Sequence, residues 1–482
     1  MKLRDLLENV DILDTNVDLN TEITAVASDT RKDMGAGSLF VALSGFAFDG
    51  NRFIGKALEK GAVAVVTAKK PEGGVPYVLV ENDRIALARI GSNFYGHPSE
   101  AMTMIGVTGT NGKTSTTLIL KHILEKTTGA KVGLIGTMEN RIGQEILPTD
   151  RTTPESIELQ ALFAQMRAAG CRYVVMEVSS HAIALHRVEG IQFEVGAFTN
   201  LTEDHLDFHK TMEAYGATKA ELFRHCNKAV TNYDSPWGQP VVAACKGEVL
   251  GISVDGQGNL MGKNPEFRAD GLSFTAVSGE ESVQVEVPIP GRFTVYNVLT
   301  AMGIAMQLGV ALPDAAAALR DVKGVRGRVE VVPTPGKDYT VLIDYAHTPD
   351  GLENVLTSVR GFCKGRLIAV FGCGGDRDRT KRPIMGSIGV KLADLAVITS
   401  DNPRTEDPNA IISDILAGLG EAKNYVVEEN RKKAIHYAMD IGQKDDIIVL
   451  AGKGHETYQE IHGVKHHMDE REIVADYLTE SR

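Results

Sequence analysis

The stretch Met104-Ile105-Gly106-Val107-Thr108-Gly109-Thr110-Asn111-Gly112-Lys113-Thr114-Ser115 constrains this chain more than any other. Its apolar run predicts a buried strand, its glycines a tight turn, and residues 116–124 a helix. Strand, glycine turn and helix start together make a cradle for phosphate. Glycines let backbone N–H groups converge on an anion, and the helix N-terminus adds its dipole. Lys113 then reaches the outer phosphates, and Thr114 offers a hydroxyl to Mg²⁺. Val107 stands where the usual pattern has its first glycine, with Gly106 and Gly109 nearest to it. The Gly-Lys-Thr ending still reads as an ATP site built from Gly109, Thr110, Asn111, Gly112, Lys113, Thr114 and Ser115.

A length of 482 residues predicts about three domains. The net charge of −12 argues against nucleic acid or an anionic membrane as a general partner, so an anionic substrate needs local basic groups. Cys171, Cys226, Cys245, Cys363 and Cys373 are scattered and form no Cys-x-x-Cys pair. They read as reduced thiols rather than a disulfide frame or zinc site. Residues 1–14 interleave charges with apolar residues, unlike a signal peptide, and no run reaches the ~18 apolar residues of a membrane span. A cytoplasmic protein is expected.

Residues 1–98 read as a first domain, with strands at 38–43 and 62–67 and a helix at 54–59. Ser28-Asp29-Thr30-Arg31-Lys32 and Ser44-Gly45-Phe46-Ala47-Phe48-Asp49-Gly50 could hold a nucleotide-like anion, although each alone is read more simply as a solvated turn. Residues 93–99 read as a linker. In a second domain, 99–329, Thr153 is a candidate helix N-cap with Pro154 at the first helical position. The strand at 173–178 carries Glu177 near its C-terminal end. Ligands of a parallel sheet gather there, which makes Glu177 a candidate Mg²⁺ ligand opposite the cradle. The histidines and acids of Ser179-Ser180-His181 and Thr202-Glu203-Asp204-His205-Leu206-Asp207 could bind a divalent ion or orient a substrate. Lys219, on a helical segment, reads by itself as a solvated lysine. Alternating strands between 249 and 290 predict an antiparallel patch. A helix at 291–308 carries Asn297 near its start, and Arg328 sits on an interdomain loop from which it could reach a phosphate.

Residues 330–482 alternate strands (341–344, 366–371, 395–399, 447–451) with helices. The expected fold is therefore α/β with three domains: the first described above, a central P-loop ATPase-like parallel sheet with an antiparallel patch, and a C-terminal Rossmann-like doubly wound domain. Three polar loops follow the later strands: Gly372-Cys373-Gly374-Gly375-Asp376-Arg377-Asp378-Arg379, Asp401-Asn402-Pro403-Arg404 and Gly452-Lys453-Gly454-His455-Glu456. All should share one sheet edge. Their arginines and carboxylates suit a zwitterion. The first loop lacks a full Gly-x-Gly-x-x-Gly, which argues against NAD.

Gly109-Thr110-Asn111-Gly112-Lys113-Thr114, Met176-Glu177-Val178-Ser179-Ser180-His181, the Thr202–Asp207 segment, Asp344-Tyr345-Ala346-His347-Thr348-Pro349-Asp350 and the three C-terminal loops occur in this order. With them the chain resembles the Mur ligases. The resemblance implies ATP-dependent amide formation between UDP-N-acetylmuramoyl-L-alanyl-D-glutamate and meso-2,6-diaminopimelate, through an acyl phosphate, in peptidoglycan precursor synthesis. It implies that Ser28, Ser44, Gly45 and Phe46 contact the uridine nucleotide, and Thr152, Thr153, Ser179 and Arg187 the muramoyl peptide. Thr114, Glu177 and His205 would ligate Mg²⁺ together with Lys219, carbamylated by CO₂. Asn297, Arg328 and Asp344 would complete the ATP site. Lys113, Lys219, His205 and Arg328 would carry the catalysis. Arg377, Asp401, Asn402, Pro403, Arg404, Gly452 and Glu456 would hold diaminopimelate, with Arg404 gripping the carboxylate that lysine lacks. A monomer is expected. Folylpolyglutamate synthase shares the cradle but lacks a first domain of this form; a nucleotide-dependent switch without amide chemistry is the reading from another class.

Overall fold

The computed structural model describes every residue except Asp33, residues 46–48 and residues 481–482, and of Asp207 and Glu480 only the backbone. The expected contact of Phe46 lies outside the described residues. Met1–Leu260 with Leu299–Ala311 forms one compact unit, and Met261–Val298 with Leu312–Arg482 a second.

The first unit opens with a five-stranded sheet. Ala25–Ala27, Ser38–Ala42, Ala62–Thr67 and Tyr77–Val80 run parallel, and Ile12–Thr15 closes one edge antiparallel. Leu39, Val41, Ala64, Val66, Val78 and Val80 alternate onto one face and pack against Ala86, Leu87 and Ile90 of the helix Asp83–Phe94. Parallel strands place their C-terminal loops at one edge, so Ser28 and Ser44 follow strand ends on the same side. Of the linker expected at 93–99, Asn93 and Phe94 belong to the helix Asp83–Phe94. Asn93 lies buried near the end of that helix and donates to the carbonyls of Leu6 and Glu8, each at 2.9 Å. Composition marks the break at His97-Pro98 but cannot show the distant carbonyls that a buried amide finds.

The second sheet of this unit surrounds the glycine turn. Val249–Ser253, Cys226–Asn232, Phe193–Phe198, Thr103–Thr108, Tyr173–Glu177 and Val132–Ile135 lie side by side and all parallel. Asn140–Ile142 and Glu145–Leu147 add an antiparallel edge. Burial on both faces explains why these strands are nearly continuous apolar runs. The helix Lys113–Thr128 buries Ile119, Leu120, Ile123 and Leu124, and the helix Ser156–Ala168 buries Leu159, Phe163 and Met166.

That second helix starts later than its sequence suggests. Glu155 is the N-cap, and its N–H donates to Glu158 Oε2 at 3.3 Å. Thr153 does not cap it. Its hydroxyl donates instead to the Glu177 carbonyl at 2.8 Å, so a tertiary bond displaces a local cap signal.

In the second unit, Leu260–Arg268, Gly271–Ser278 and Glu281–Val287 form the antiparallel patch. The remaining strands make a sheet in the order Glu330–Val332, Thr340–Asp344, Ile447–Ala451, Leu367–Phe371, Leu395–Ile398, Tyr425–Val427, parallel except at the Glu330–Val332 edge. Both faces are covered. Leu342, Leu367, Ala369 and Val449 pack with Leu352, Leu356, Met385 and Ile415, while Val341, Ile343, Ile368 and Leu450 pack with Ala434, Ile435 and Val474. This is the doubly wound arrangement.

Candidate active site

The cradle forms where the strand Thr103–Thr108 gives way to the helix Lys113–Thr128. Gly109 takes φ +148°, and a Cβ there would lie 1.9 Å from Thr199 Oγ1, so no side chain fits. The loop is stitched to the end of the strand Phe193–Phe198. Thr110 N donates to Asn200 O and Asn111 N to Asn200 Oδ1, both at 2.9 Å, and Thr199 Oγ1 donates to Asn111 O at 2.6 Å. The Lys113 ammonium reaches the Gly109 and Thr110 carbonyls at 2.8 and 2.9 Å.

Glu177, at the C-terminal end of its strand, is only 1% exposed. Its Oε1 accepts from Thr114 Oγ1 and from Thr137 N, and its Oε2 from Thr137 Oγ1, each at 2.9 Å. Gly136 makes room, since a Cβ there would lie 2.5 Å from Glu177 Oε1. One hydroxyl and one carboxylate beside a phosphate cradle are hard oxygen donors of the kind Mg²⁺ takes while completing its shell with phosphate and water. The residues present therefore fit that ion. His205 is exposed at φ +54° and turns to Asp204, with Nε2 to Oδ2 at 3.3 Å. Its ring lies edge-on to His181 at 4.9 Å between centroids.

Lys219 is the largest departure from a residue-by-residue reading. It is 1% exposed on the helix Met212–Ala220, not solvated. Its Nζ donates to Gly109 O at 3.0 Å, the same carbonyl that Lys113 uses, and lies 4.5 Å from the Tyr215 ring centroid. Burial holds its amine well below the usual lysine range; the Lys113 ammonium pushes the same way and Asp204 opposes. Burial also pushes the Tyr215 phenol up to about 12.

From Glu177 a continuous set of contacts leads to the first sheet. Thr137 Oγ1, its hydrogen given to Glu177, accepts from Thr152 Oγ1 at 3.0 Å. Thr153 Oγ1 accepts from Ser179 N at 3.1 Å, and Arg187 donates to Thr153 O at 3.1 Å. Arg187 also pairs with Glu155 at 2.6 Å, Arg84 stands 3.9 Å from the same carboxylate, and Arg84 donates to Ser44 O at 3.3 Å. Thr152, Thr153, Ser179, Arg187 and Ser44 are thus brought into one zone adjoining the cradle. Ser28 is half-buried, while Arg31 is taken up by Asp29 in an exposed pair. Thr137, Glu155 and Arg84 were missed by sequence reasoning. Thr137 follows the strand Val132–Ile135, so the strand-end rule could have found it; the two charged residues carry no local signal.

In the second unit the three polar loops meet at one sheet edge. Arg404 donates to Gly375 O at 2.8 Å and faces Glu460 at 3.3 Å. Asn402 Nδ2 donates to Glu456 Oε2 at 2.8 Å. Gly452, at φ +117°, leaves room for Asp401, whose Oδ2 would be 2.5 Å from a Cβ there. Arg404 itself is left-handed at φ +52°, held by N to Glu460 O at 3.0 Å and by its carbonyl accepting from His462 N at 2.7 Å. Arg377 is exposed. Arg328 lies over the Tyr345 ring at 5.0 Å, and buried Asp344 accepts from Val329 N at 2.8 Å and Ala346 N at 2.9 Å. Burial raises the Asp344 carboxyl against the pull of Arg328. Asn297 is half-buried on the helix Arg292–Gln307.

A glycine-rich strand-to-helix cradle beside a buried carboxylate, followed in the chain by a doubly wound sheet whose edge gathers arginines and carboxylates, is the framework of a nucleotide-dependent ligase. Residues 22–95 match the pattern described as Mur ligase family, catalytic domain, residues 107–305 the Mur ligase middle domain, and residues 327–454 the Mur ligase, glutamate ligase domain. The chain belongs to the Mur ligase family. A relative from Caldanaerobacter subterraneus is 47% identical, covering 100% of each chain. One from Clostridium botulinum is 46% identical over 95% of this chain and 96% of its own. Both are named UDP-N-acetylmuramoyl-L-alanyl-D-glutamate--2,6-diaminopimelate ligase. A solved structure under the same name superposes with a TM-score of 0.75 at 29% identity, covering 100% of this chain and 99% of that one.

Proposed function

We propose that this protein is the ATP-dependent ligase that joins meso-2,6-diaminopimelate to UDP-N-acetylmuramoyl-L-alanyl-D-glutamate in peptidoglycan precursor synthesis. The observation that carries this reading is full-length similarity, at 47% identity, to a ligase of that name. Residues 1–98 take the uridine nucleotide, 99–329 the ATP, and 330–482 the amino acid. Among the described residues no helix is long and apolar enough to cross a membrane. The enzyme acts in the cytoplasm as a monomer.

A carboxylate is a poor electrophile. A glutamyl carboxylate oxygen therefore attacks the γ-phosphorus of ATP, ADP leaves, and the resulting acyl phosphate is attacked by the amine of diaminopimelate with loss of phosphate and a proton. The contacts from Thr114 through Glu177 to Thr152, Thr153, Ser179 and Arg187 support this reading, because the residues assigned to the muramoyl peptide adjoin the cradle assigned to ATP. Lys113 balances the charge spreading over that group, which positioning and electrostatics chiefly stabilise. Mg²⁺, when bound by Thr114 and Glu177 with His205 and modified Lys219, supplies further phosphate neutralisation. The roles of Arg328, Asn297 and Asp344 toward ATP rest on the family resemblance.

The buried Lys219 amine supports carbamylation. An un-ionised amine forms an N–C bond to CO₂, a C=O electron pair moves to oxygen, and the amine proton leaves. The product is an anionic oxygen donor where an ammonium would repel Mg²⁺.

For the amino acid, Arg404, with Asn402 and Pro403 of its loop, Arg377, Asp401, Gly452 and Glu456, forms the diaminopimelate pocket. Loss of a charged hydrogen bond that a site is built to make costs several kcal/mol, about 10⁴-fold in discrimination. Release of ADP and phosphate measured with each substrate omitted in turn tests the reading. Turnover should require the muramoyl dipeptide and diaminopimelate together, and L-lysine should fail as a replacement. Turnover with ATP alone would favour a nucleotide switch, and equal kcat/KM for lysine would overturn the amino-acid assignment.

A further inference from the structure

Lys453 is 0% exposed, and the reaction as derived above assigns it no task. Its ammonium donates to Asn402 Oδ1 at 2.9 Å and to Glu456 Oε2 at 3.1 Å, with Asp401 Oδ1 at 3.9 Å. Asn402 Oδ1 accepts a second bond, from Glu460 N at 2.9 Å. An amide can present its oxygen or its nitrogen to either side, and only its partners decide which. Two donors converging on one side fix the oxygen there. The nitrogen then lies on the other side of the amide, where one of its hydrogens goes to Glu456 Oε2.

The consequence reaches the ligand. Glu456 Oε2 is occupied by both Lys453 and Asn402, whereas the described contacts leave Oε1 of the same carboxylate open. Asn402 Nδ2 retains a second N–H. The group of Asp401, Glu456 and Lys453 carries two formal negative charges against one positive. It therefore offers one surplus negative charge, one open carboxylate oxygen and one open amide donor. An ammonium beside a carboxylate, as at either end of diaminopimelate, matches that set.

We infer that Lys453 is the positioning residue of the amino-acid pocket, acting through the Asn402 amide and the Glu456 carboxylate rather than on the substrate itself. This rests on the diaminopimelate ligase reading. Without the ammonium, the amide has one fixed donor fewer on its oxygen side, and Glu456 can swing away from the ligand. Binding of the amino acid should suffer, while ATP, the muramoyl dipeptide and the chemical step should not.

Steady-state kinetics of the full chain tests this with Lys453→Met, which keeps the side-chain volume but not the donors. The KM for meso-diaminopimelate should rise at least tenfold, with kcat reduced less than threefold and the KM values for ATP and the muramoyl dipeptide within twofold of wild type. In an Asn402→Ala background, Lys453→Met should raise that KM by less than half its factor in wild type, because much of its effect runs through the amide. An unchanged KM for diaminopimelate, or a uniform fall in kcat for all substrates, would overturn the proposal. Should Lys453→Met not fold, Lys453→Leu, which likewise removes the donors, gives the reading, and an unchanged KM there would equally overturn it. Arg404→Ala is the control for the underlying assignment. If wild type does not use diaminopimelate, the reading of the site fails; if wild type uses it and Arg404→Ala raises the KM while Lys453→Met does not, only the role of Lys453 fails.

Discussion

Replacing Arg431 with methionine should loosen the amino-acid sheet from within. Arg431 and Glu470 are each 0% exposed at their side chains and pair at 2.8 Å. The same guanidinium donates to Ala451 O at 2.8 Å and lies 3.5 Å from Ser400 O. Those carbonyls immediately precede Gly452 and Asp401, so one buried cation joins the ends of two strands that carry the pocket. Methionine fills much of the same volume and donates nothing. Breaking a buried pair by removing one partner costs roughly 3–5 kcal/mol. The orphaned Ala451 carbonyl adds about 1 kcal/mol or more where the two losses do not overlap. Taking about 4 kcal/mol, amide exchange in Ile447–Ala451 should accelerate roughly a thousandfold where it reports opening of this unit. Hydrogen exchange read by mass spectrometry is the assay. Arg431→Met with Glu470→Leu should recover at least half of the lost protection, because no charge is then left buried. Acceleration below about tenfold in the single variant, or no recovery in the double, would refute the reasoning.

Lys113→Ala should still bind the muramoyl dipeptide by calorimetry but lose at least ~3 kcal/mol of transition-state stabilisation, a hundredfold or more in kcat. Near-normal turnover would remove its assigned role. Lys219→Ala should be nearly inactive and be partly restored by short carboxylic acids that replace the carbamate; full activity without them would count against the modification. His455 supplies a pH test: burial, with Arg328 next, holds its imidazole below the usual 6.5. The unfolded chain then takes up a proton near that value while the folded chain does not. Its contribution is therefore present above 6.5 and is lost as pH falls toward the depressed folded value. His455→Gln should flatten the loss of stability measured by urea unfolding between neutral and mildly acid pH, and an unaltered slope would contradict this.

Much of the architecture was legible because parallel sheets and glycine turns leave local marks. The apolar runs at Met104–Val107 and Ile447–Ala451, and the Gly-Lys-Thr ending, are properties of a few adjacent residues, and they gave the strands, the cradle and the shared sheet edge. Glu177 was found because a carboxylate at the end of a buried strand contradicts its surroundings. What failed to show was whatever depends on distant partners. Lys219 looks like any surface lysine until the fold buries it against Gly109 and Tyr215. Thr153 carries a capping signal that a bond to the Glu177 carbonyl overrides. Arg84 and Glu155 meet only because the helices Asp83–Phe94 and Ser156–Ala168 pack together, a pairing without any periodicity to announce it.

The central claim is that a glutamyl carboxylate is activated as an acyl phosphate before the amine attacks. Its most direct test uses UDP-N-acetylmuramoyl-L-alanyl-D-glutamate labelled with ¹⁸O in the glutamyl carboxylates, with ATP, Mg²⁺ and meso-diaminopimelate. The account predicts that the phosphate released carries one ¹⁸O per turnover, since the carboxylate oxygen that attacks the γ-phosphorus leaves with it. Unlabelled phosphate accompanying normal formation of the amide would contradict the account.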